Sequence, residues 1–258
     1  MQKSPVIDPA RAAQDIIYQL NIRKPSEIKV ELIAEVRGAT VVESTLTASE
    51  GRLVRRGKRG KITVPSSETN VGRKRFSIGH ELGHFELHSH LISYVDCTKE
   101  DMADFHGYKK REKEANEFSA ELLMPRALFS PLVIRKKPNM NLIQDLSDEF
   151  NTSITATACR YIQITKEPCA LVYSVNGKVE WFVRNEFPFF LKGKGDPLDE
   201  YSFAYDAFNG KGDNPFGSKV SASSWVINSD SKFDDMEILE STLFLEYYNA
   251  AITLLWQP

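Results

Sequence analysis

The segment Arg75–His90 reads RFSIGHELGHFELHSH and holds four of the chain's five histidines. Within it stands His80-Glu81-Leu82-Gly83-His84. On a helix, residues four apart lie about 40° apart around the axis and about 6 Å apart along it. His80 and His84 can therefore aim two imidazoles at one ion, with the helix backbone setting their separation. Glu81 falls on the flank of the same face, where a carboxylate reaches a coordinated water. Ile78, Leu82 and Phe85, at i, i+4 and i+7, form an opposite apolar stripe that anchors the helix to a core.

A catalytic zinc site keeps three protein ligands and one open position, and lowers the pKa of a coordinated water to roughly 7. A neighbouring glutamate then serves as general base and returns the proton to the leaving amine. That chemistry requires a third ligand, and several residues compete for the place. His90 has the ten-residue spacing of HExxHxxGxxH, but Leu87 stands where that motif needs the glycine that turns the chain. Were the helix to continue, His90 would lie some 15 Å along the axis from His80, and His88 about 12 Å. His88 reads better as a residue supporting the site from behind. Cys97 is a further thiol near the motif.

The segment Lys110–Pro125, KREKEANEFSAELLMP, supplies the remaining candidates. Read as a helix, it buries Ala115, Phe118 and Leu122. Glu114 and Glu121 border that side, whereas Glu112 and Glu117 point elsewhere. Glu114 and Glu121 are about 10 Å apart along the helix, so one ion takes at most one of them.

RFSIGHELGHFELH followed by EKEANEFSAELLMP resembles the ImmA/IrrE family of zinc metallopeptidases. The resemblance is close over Arg73–Phe129 and weaker over most of the chain. It implies Zn2+ bound by His80, His84 and Glu114, with Glu121 as a supporting residue; Glu81 is the expected general base, and Asn116 joins His88 among the expected supporting residues. It also implies a cytoplasmic endopeptidase of narrow specificity whose protein substrate is a partner transcriptional regulator.

Composition is compatible with this reading. The chain has 258 residues, 41% hydrophobic and 26% charged, with a net charge of −2. Such a balance gives no global drive toward nucleic acid or anionic membrane. No apolar run approaches the eighteen residues of a membrane span, and the first residues, MQKSPVIDPARAAQ, lack the core and cleavage site of a secretory signal. Cys97, Cys159 and Cys169 are odd in number and share no CxxC spacing, as expected of free thiols in a reducing compartment.

Along the chain, Pro9 opens a helix with Ala12, Ile16, Ile17 and Leu20 on one face, and Pro25 begins another carrying Ile28, Leu32, Ile33 and Val36, stopped at Gly38. Ala39–Glu43 reads as a strand. Arg52–Lys61, with six basic residues and no acid, reads as a hairpin leading into Lys61–Pro65. Ile62, Thr63 and Val64 are the expected edge strand along which an extended substrate is held by main-chain hydrogen bonds. Leu91–Arg111 connects the two metal-bearing helices. Asn141–Ile164 has the outline of a helix-turn-helix, but its second helix offers only Arg160 and small hydroxyls until Lys166, so direct DNA reading is not expected.

After Pro168 the texture becomes β-rich, with Asn176-Gly177 as a type I′ hairpin turn and Trp225-Val226 as part of a strand. Gly193–Gly217 reads as a loop region, and Leu243–Trp256 is apolar and compatible with strand or helix. The expected fold is α+β: a helical zincin-like domain over 1–138 with a small antiparallel sheet, a helix-turn-helix-like segment over 139–167, and a β-rich C-terminal domain over 168–258. The alternative to a peptidase is a regulatory or interaction protein in which the zinc is structural. An intact Glu81 favours the enzyme, because a structural zinc needs no carboxylate there.

Overall fold

The computed structural model describes residues 8–46, 50–88, 94–97, 110–227 and 236–258, with 94–97 described by their backbone. His90 and most of Leu91–Arg111 lie outside the described residues, as does the side chain of Cys97. Two compact units emerge. One runs to Phe129 and takes in Ser147–Ser153, and the other comprises Ser130–Leu146 and everything from Ile154. The division passes through the helix-turn-helix segment rather than around it.

In the first unit, α1 (Pro9–Gln19) starts with Pro9 in its first turn and Asp8 accepting a hydrogen bond from the Arg11 N–H. Both are preferred at helix starts, where N–H groups lack helical partners. A 3-10 turn at Pro25–Glu27 precedes α2 (Val30–Arg37), which ends at Gly38 with φ 96°. Leu32 and Val36 face solvent rather than the core expected for them. Then follow β1 (Ala39–Ser44), β2 (Gly51–Arg56), β3 (Arg59–Pro65), α3 (Val71–Leu87), β4 (Tyr94–Cys97) and α4 (Lys110–Leu123).

The sheet has the order β1-β3-β2-β4. It is mixed rather than antiparallel throughout, because β1 pairs parallel with β3. This order also corrects the expected substrate edge. Ile62, Thr63 and Val64 lie on β3, paired with Val41–Glu43 on one side, while β2 covers the other side with Leu53 opposite Ile62 and Arg52 opposite Thr63. All three are buried. Their backbone groups serve the sheet ladder and cannot take a further strand.

α3 is the centre of this unit. Ile78, Leu82 and Phe85 join Leu53, Ile62 and Val64 of the sheet and Phe118 and Leu122 of α4 in one core. Arg37 at the end of α2 forms a two-pronged pair with Glu86 of α3, both N–O distances 2.8 Å. The face toward α4 is lined by glycine. A Cβ at Gly79 would stand 2.5 Å from Ser119 Oγ, and one at Gly83 3.1 Å from the Ala115 Cα. The two helices therefore approach closely. The turn at Thr152–Ser153 passes the start of α3 so tightly that a Cβ at Gly72 would meet the Ser153 nitrogen at 2.4 Å.

α5 (Arg126–Val133), α6 (Met140–Phe150) and α7 (Ile154–Ile164) follow. Arg160, the cation of the second helix of the expected pair, is buried. The second unit is built on a five-stranded antiparallel sheet, β6-β5-β9-β8-β7, from β5 (Cys169–Val175), β6 (Lys178–Arg184), β7 (Asn214–Ser221), β8 (Glu237–Leu245) and β9 (Ala250–Trp256). Asn176 and Gly177 have positive φ, as a type I′ turn demands. The apolar stretch after Leu243 resolves into the end of β8, a turn with Asn249 in the left-handed region, and β9. The expected loop region contains α8 (Phe203–Phe208) and the start of β7. Trp225 is not in a strand; it follows a 3-10 turn and is buried. Among the described residues no helix is long and apolar enough to cross a membrane. Cys159 and Cys169 are free and buried, and burial pushes both thiols up to about 12.

Trp225 packs where it does because of Glu240. This fully buried carboxylate accepts hydrogen bonds from Trp225 Nε1 at 2.7 Å, the Ala204 N–H at 2.7 Å and Thr242 Oγ1 at 3.0 Å. Burial raises its pKa, against the pull of those donors. Glu240→Gln would turn an amide N–H2 toward groups that already donate. It is expected to cost about 1–3 kcal/mol of stability, read as a lower urea midpoint for the unfolding of this unit.

Candidate metal centre

α3 and α4 run antiparallel: His80 meets Asn116, and one turn back the Phe76 carbonyl accepts from Ser119 Oγ. This pairing brings the N-terminal turn of α4 against the two histidines. His80 Nε2 and His84 Nε2 are 3.1 Å apart, and Glu112 Oε2 is 3.2 Å from each. These three atoms are the group of metal-capable donors found among the described residues.

The structure thus brings Glu112, and not Glu114, to the two imidazoles. Glu112, Asn116 and Ser119 lie at i, i+4 and i+7, within about 60° of one another around the helix. They form a polar stripe beside the apolar one through Ala115, Phe118 and Leu122. The apolar stripe alone does not reveal which neighbouring face meets α3. Glu114 goes instead to His88, with Oε2 3.0 Å from His88 Nε2. Glu121 accepts from Gln14 Nε2 at 3.0 Å and from the Arg126 N–H at 2.9 Å, tying α1 to the start of α5.

The remaining contacts set the tautomers. Asn116 Oδ1 lies 2.8 Å from His80 Nδ1. An amide oxygen only accepts, so the proton sits on Nδ1 and the Nε2 lone pair faces the cluster. His84 Nδ1 is 3.0 Å from His88 Nδ1. The Glu114 carboxylate draws the His88 proton to Nε2, His88 Nδ1 then accepts from His84 Nδ1–H, and His84 Nε2 is also left with its lone pair inward. Support of this kind for ligating histidines is general.

Charge reinforces the convergence. Burial opposes a positive His80, but the hydrogen bond that its protonated Nε2 makes to Glu112, with the charges on Glu81 and Glu112, outweighs that and raises its pKa. Burial lowers the pKa of His84, with His80 and His88 adding to the effect. Burial alone would raise the Glu112 carboxyl, yet hydrogen bonds from the protonated Nε2 groups of His80 and His84 hold it well below the usual carboxylate range. Glu81 is fully buried beside this group. Ligands about 2.0 Å from a tetrahedral zinc stand about 3.3 Å apart, close to the three separations here. Two imidazole nitrogens and one carboxylate oxygen are also a donor set that suits zinc.

A protein-family profile described as Peptidase_M78, IrrE N-terminal-like domain, matches residues 34–161. Residues 34–161 belong to the IrrE N-terminal-like family. The match runs from α2 to α7 and contains both HELGH and EANEFSAELLMP, so the resemblance carried by those two motifs holds. That match makes residues 34–161 metallopeptidase-like, with a metal implied. The fold is similar to that of a Mycobacterium tuberculosis transcriptional regulator, with a TM-score of 0.57 at 15% identity, covering 96% of this chain and 87% of that one. No curated protein matches the sequence.

The geometry separates the two glutamates experimentally. Glu112→Ala is expected to empty the site of zinc after dialysis against a weak chelator. Glu114→Ala should keep one ion per chain, with affinity lowered about 10–100-fold through loss of His88 orientation. Elemental analysis showing the reverse order would overturn this arrangement.

Proposed function

We propose that the protein is a zinc-dependent endopeptidase of narrow specificity, acting in the cytoplasm on a partner transcriptional regulator. His80, His84 and Glu112 would hold the metal, and Glu81 is the general base. The observation that carries the reading is the convergence of three donor atoms at 3.1–3.2 Å with a fully buried glutamate next to them in the chain. Zinc, when bound, supplies Lewis acidity that makes water a nucleophile near neutral pH and polarises a carbonyl.

The chain's own residues do the rest. Asn116 and the His88–Glu114 pair orient the imidazoles. Glu81 takes the proton of the attacking water and delivers it to the departing amine nitrogen. The helix interface of α3 and α4 keeps these groups out of bulk solvent, which strengthens each charge interaction. With β3 enclosed by its neighbours, the proposal places no substrate contact on Ile62–Val64. A regulator as substrate is supported by the family and by the description of the mycobacterial neighbour as a transcriptional regulator.

A non-catalytic role with a structural zinc is the alternative outcome, and Glu81→Gln discriminates the two. The amide retains the size of the side chain but cannot accept a proton. Zinc content and melting temperature should stay near wild type, while cleavage of the partner falls by about 10²–10⁴-fold. Regulators encoded beside this protein are the substrates to assay, with casein expected to be cut poorly. Undiminished cleavage or regulation in Glu81→Gln would overturn the peptidase reading.

A further inference from the structure

A glycine inside a strand weakens it, because it brings backbone entropy and no side chain to pack. Gly51 opens β2, between β3 and β4, with Cys97 as its register partner. Its backbone does not require glycine, since it is not among the glycines of positive φ. Side chains alternate along a strand, so a side chain at 51 would project on the same face as Leu53. That residue is buried in the core that contains Ile78 and Leu82 of α3. What occupies the corresponding space at Gly51 is Glu81. A Cβ there would stand 2.5 Å from Glu81 Oε1, 3.0 Å from its Cγ and 3.1 Å from its Cδ.

We infer that Gly51 is a positioning residue for Glu81: the bare Cα of β2 forms one wall of the slot that holds the carboxylate and its stem beside the metal centre. Leu53 fastens the strand to α3 two residues further on, so the wall is anchored by core packing. The Cβ that glycine lacks would overlap both the stem and the carboxylate, so the slot is matched to the whole end of the Glu81 side chain. Any side chain at position 51 must displace the carboxylate, which shares the side chain of no metal-holding residue. The functional meaning rests on Glu81 being the general base, and the coupling between the two positions does not.

A double-substitution cycle on stability tests the wall without any substrate. Gly51→Ala is expected to shift the unfolding equilibrium roughly 5- to 150-fold toward the unfolded state, the range for overpacking a tight site. In a Glu81→Ala background, where Oε1, Cδ and Cγ are gone, the same change should shift it less than about 2-fold, since a strand accepts alanine more readily than glycine. Should Gly51→Ala alone fail to fold, recovery of folding in the double variant supports the wall. An equal loss in both backgrounds, or a double variant that also fails to fold, overturns it. In folded Gly51→Ala, zinc stoichiometry should remain one per chain while cleavage of the partner drops about 10²-fold, the effect of misplacing a reacting group by an ångström. Normal cleavage by that variant would likewise overturn the inference. A failure of Glu81→Gln to lose activity would instead count against the peptidase reading and leave the cycle standing.

Discussion

The Nε2 lone pairs of His80 and His84 can face one point only because both Nδ1 atoms are engaged elsewhere, on Asn116 and on His88. An imidazole rotates freely about its Cβ–Cγ bond unless its second nitrogen is held. Here one holder comes from α4 and the other, His88, caps the C-terminal end of α3 itself. Everything that keeps α4 against α3 therefore bears on the site. Small residues at Gly79, Gly83, Ala115 and Ser119 bring the backbones close enough for a glutamate one turn into α4 to reach both histidines.

That closeness explains why α3 is buried on nearly every side. Its apolar stripe packs on the sheet, and its polar face is sealed by α4. Buried charged groups are costly unless each finds a counterpart. Glu112 and His80 answer one another, and the His88–Glu114 pair continues the same logic outward to Lys110, 3.6 Å from Glu114. The interior is polar by design of chemistry rather than by loose packing.

On the opposite side of α3, β2 does for Glu81 what α4 does for the histidines. The strand contributes absence of a side chain where α4 contributes hydrogen-bonding groups. In the other unit the same principle recurs. Glu240 gathers three donors from an indole, a helix start and a threonine, and so pins Trp225 and α8 to the sheet.

Much of this was legible in the chain. The i, i+4 spacing of His80 and His84 with Glu81 between them defines a helix surface able to hold a metal, and the stripe Ile78, Leu82, Phe85 defines the opposite one. Both follow from helical periodicity, which is local. Asn176-Gly177 and Gly38 likewise announced a hairpin and a helix end, because positive φ is a property of a few residue types. The choice among Glu112, Glu114 and Glu121 was not local. It depends on which face of α4 meets α3, and the face is selected by the glycines of the other helix. The position of Ile62–Val64 inside the sheet was equally hidden, since a strand's own residues do not state which strands flank it. Gly51 was unremarkable as a letter in the sequence and became informative only when Glu81, thirty residues away, was seen to occupy the space its side chain lacks. Periodicity and turn chemistry travel with the chain; contacts between distant segments are decided by packing.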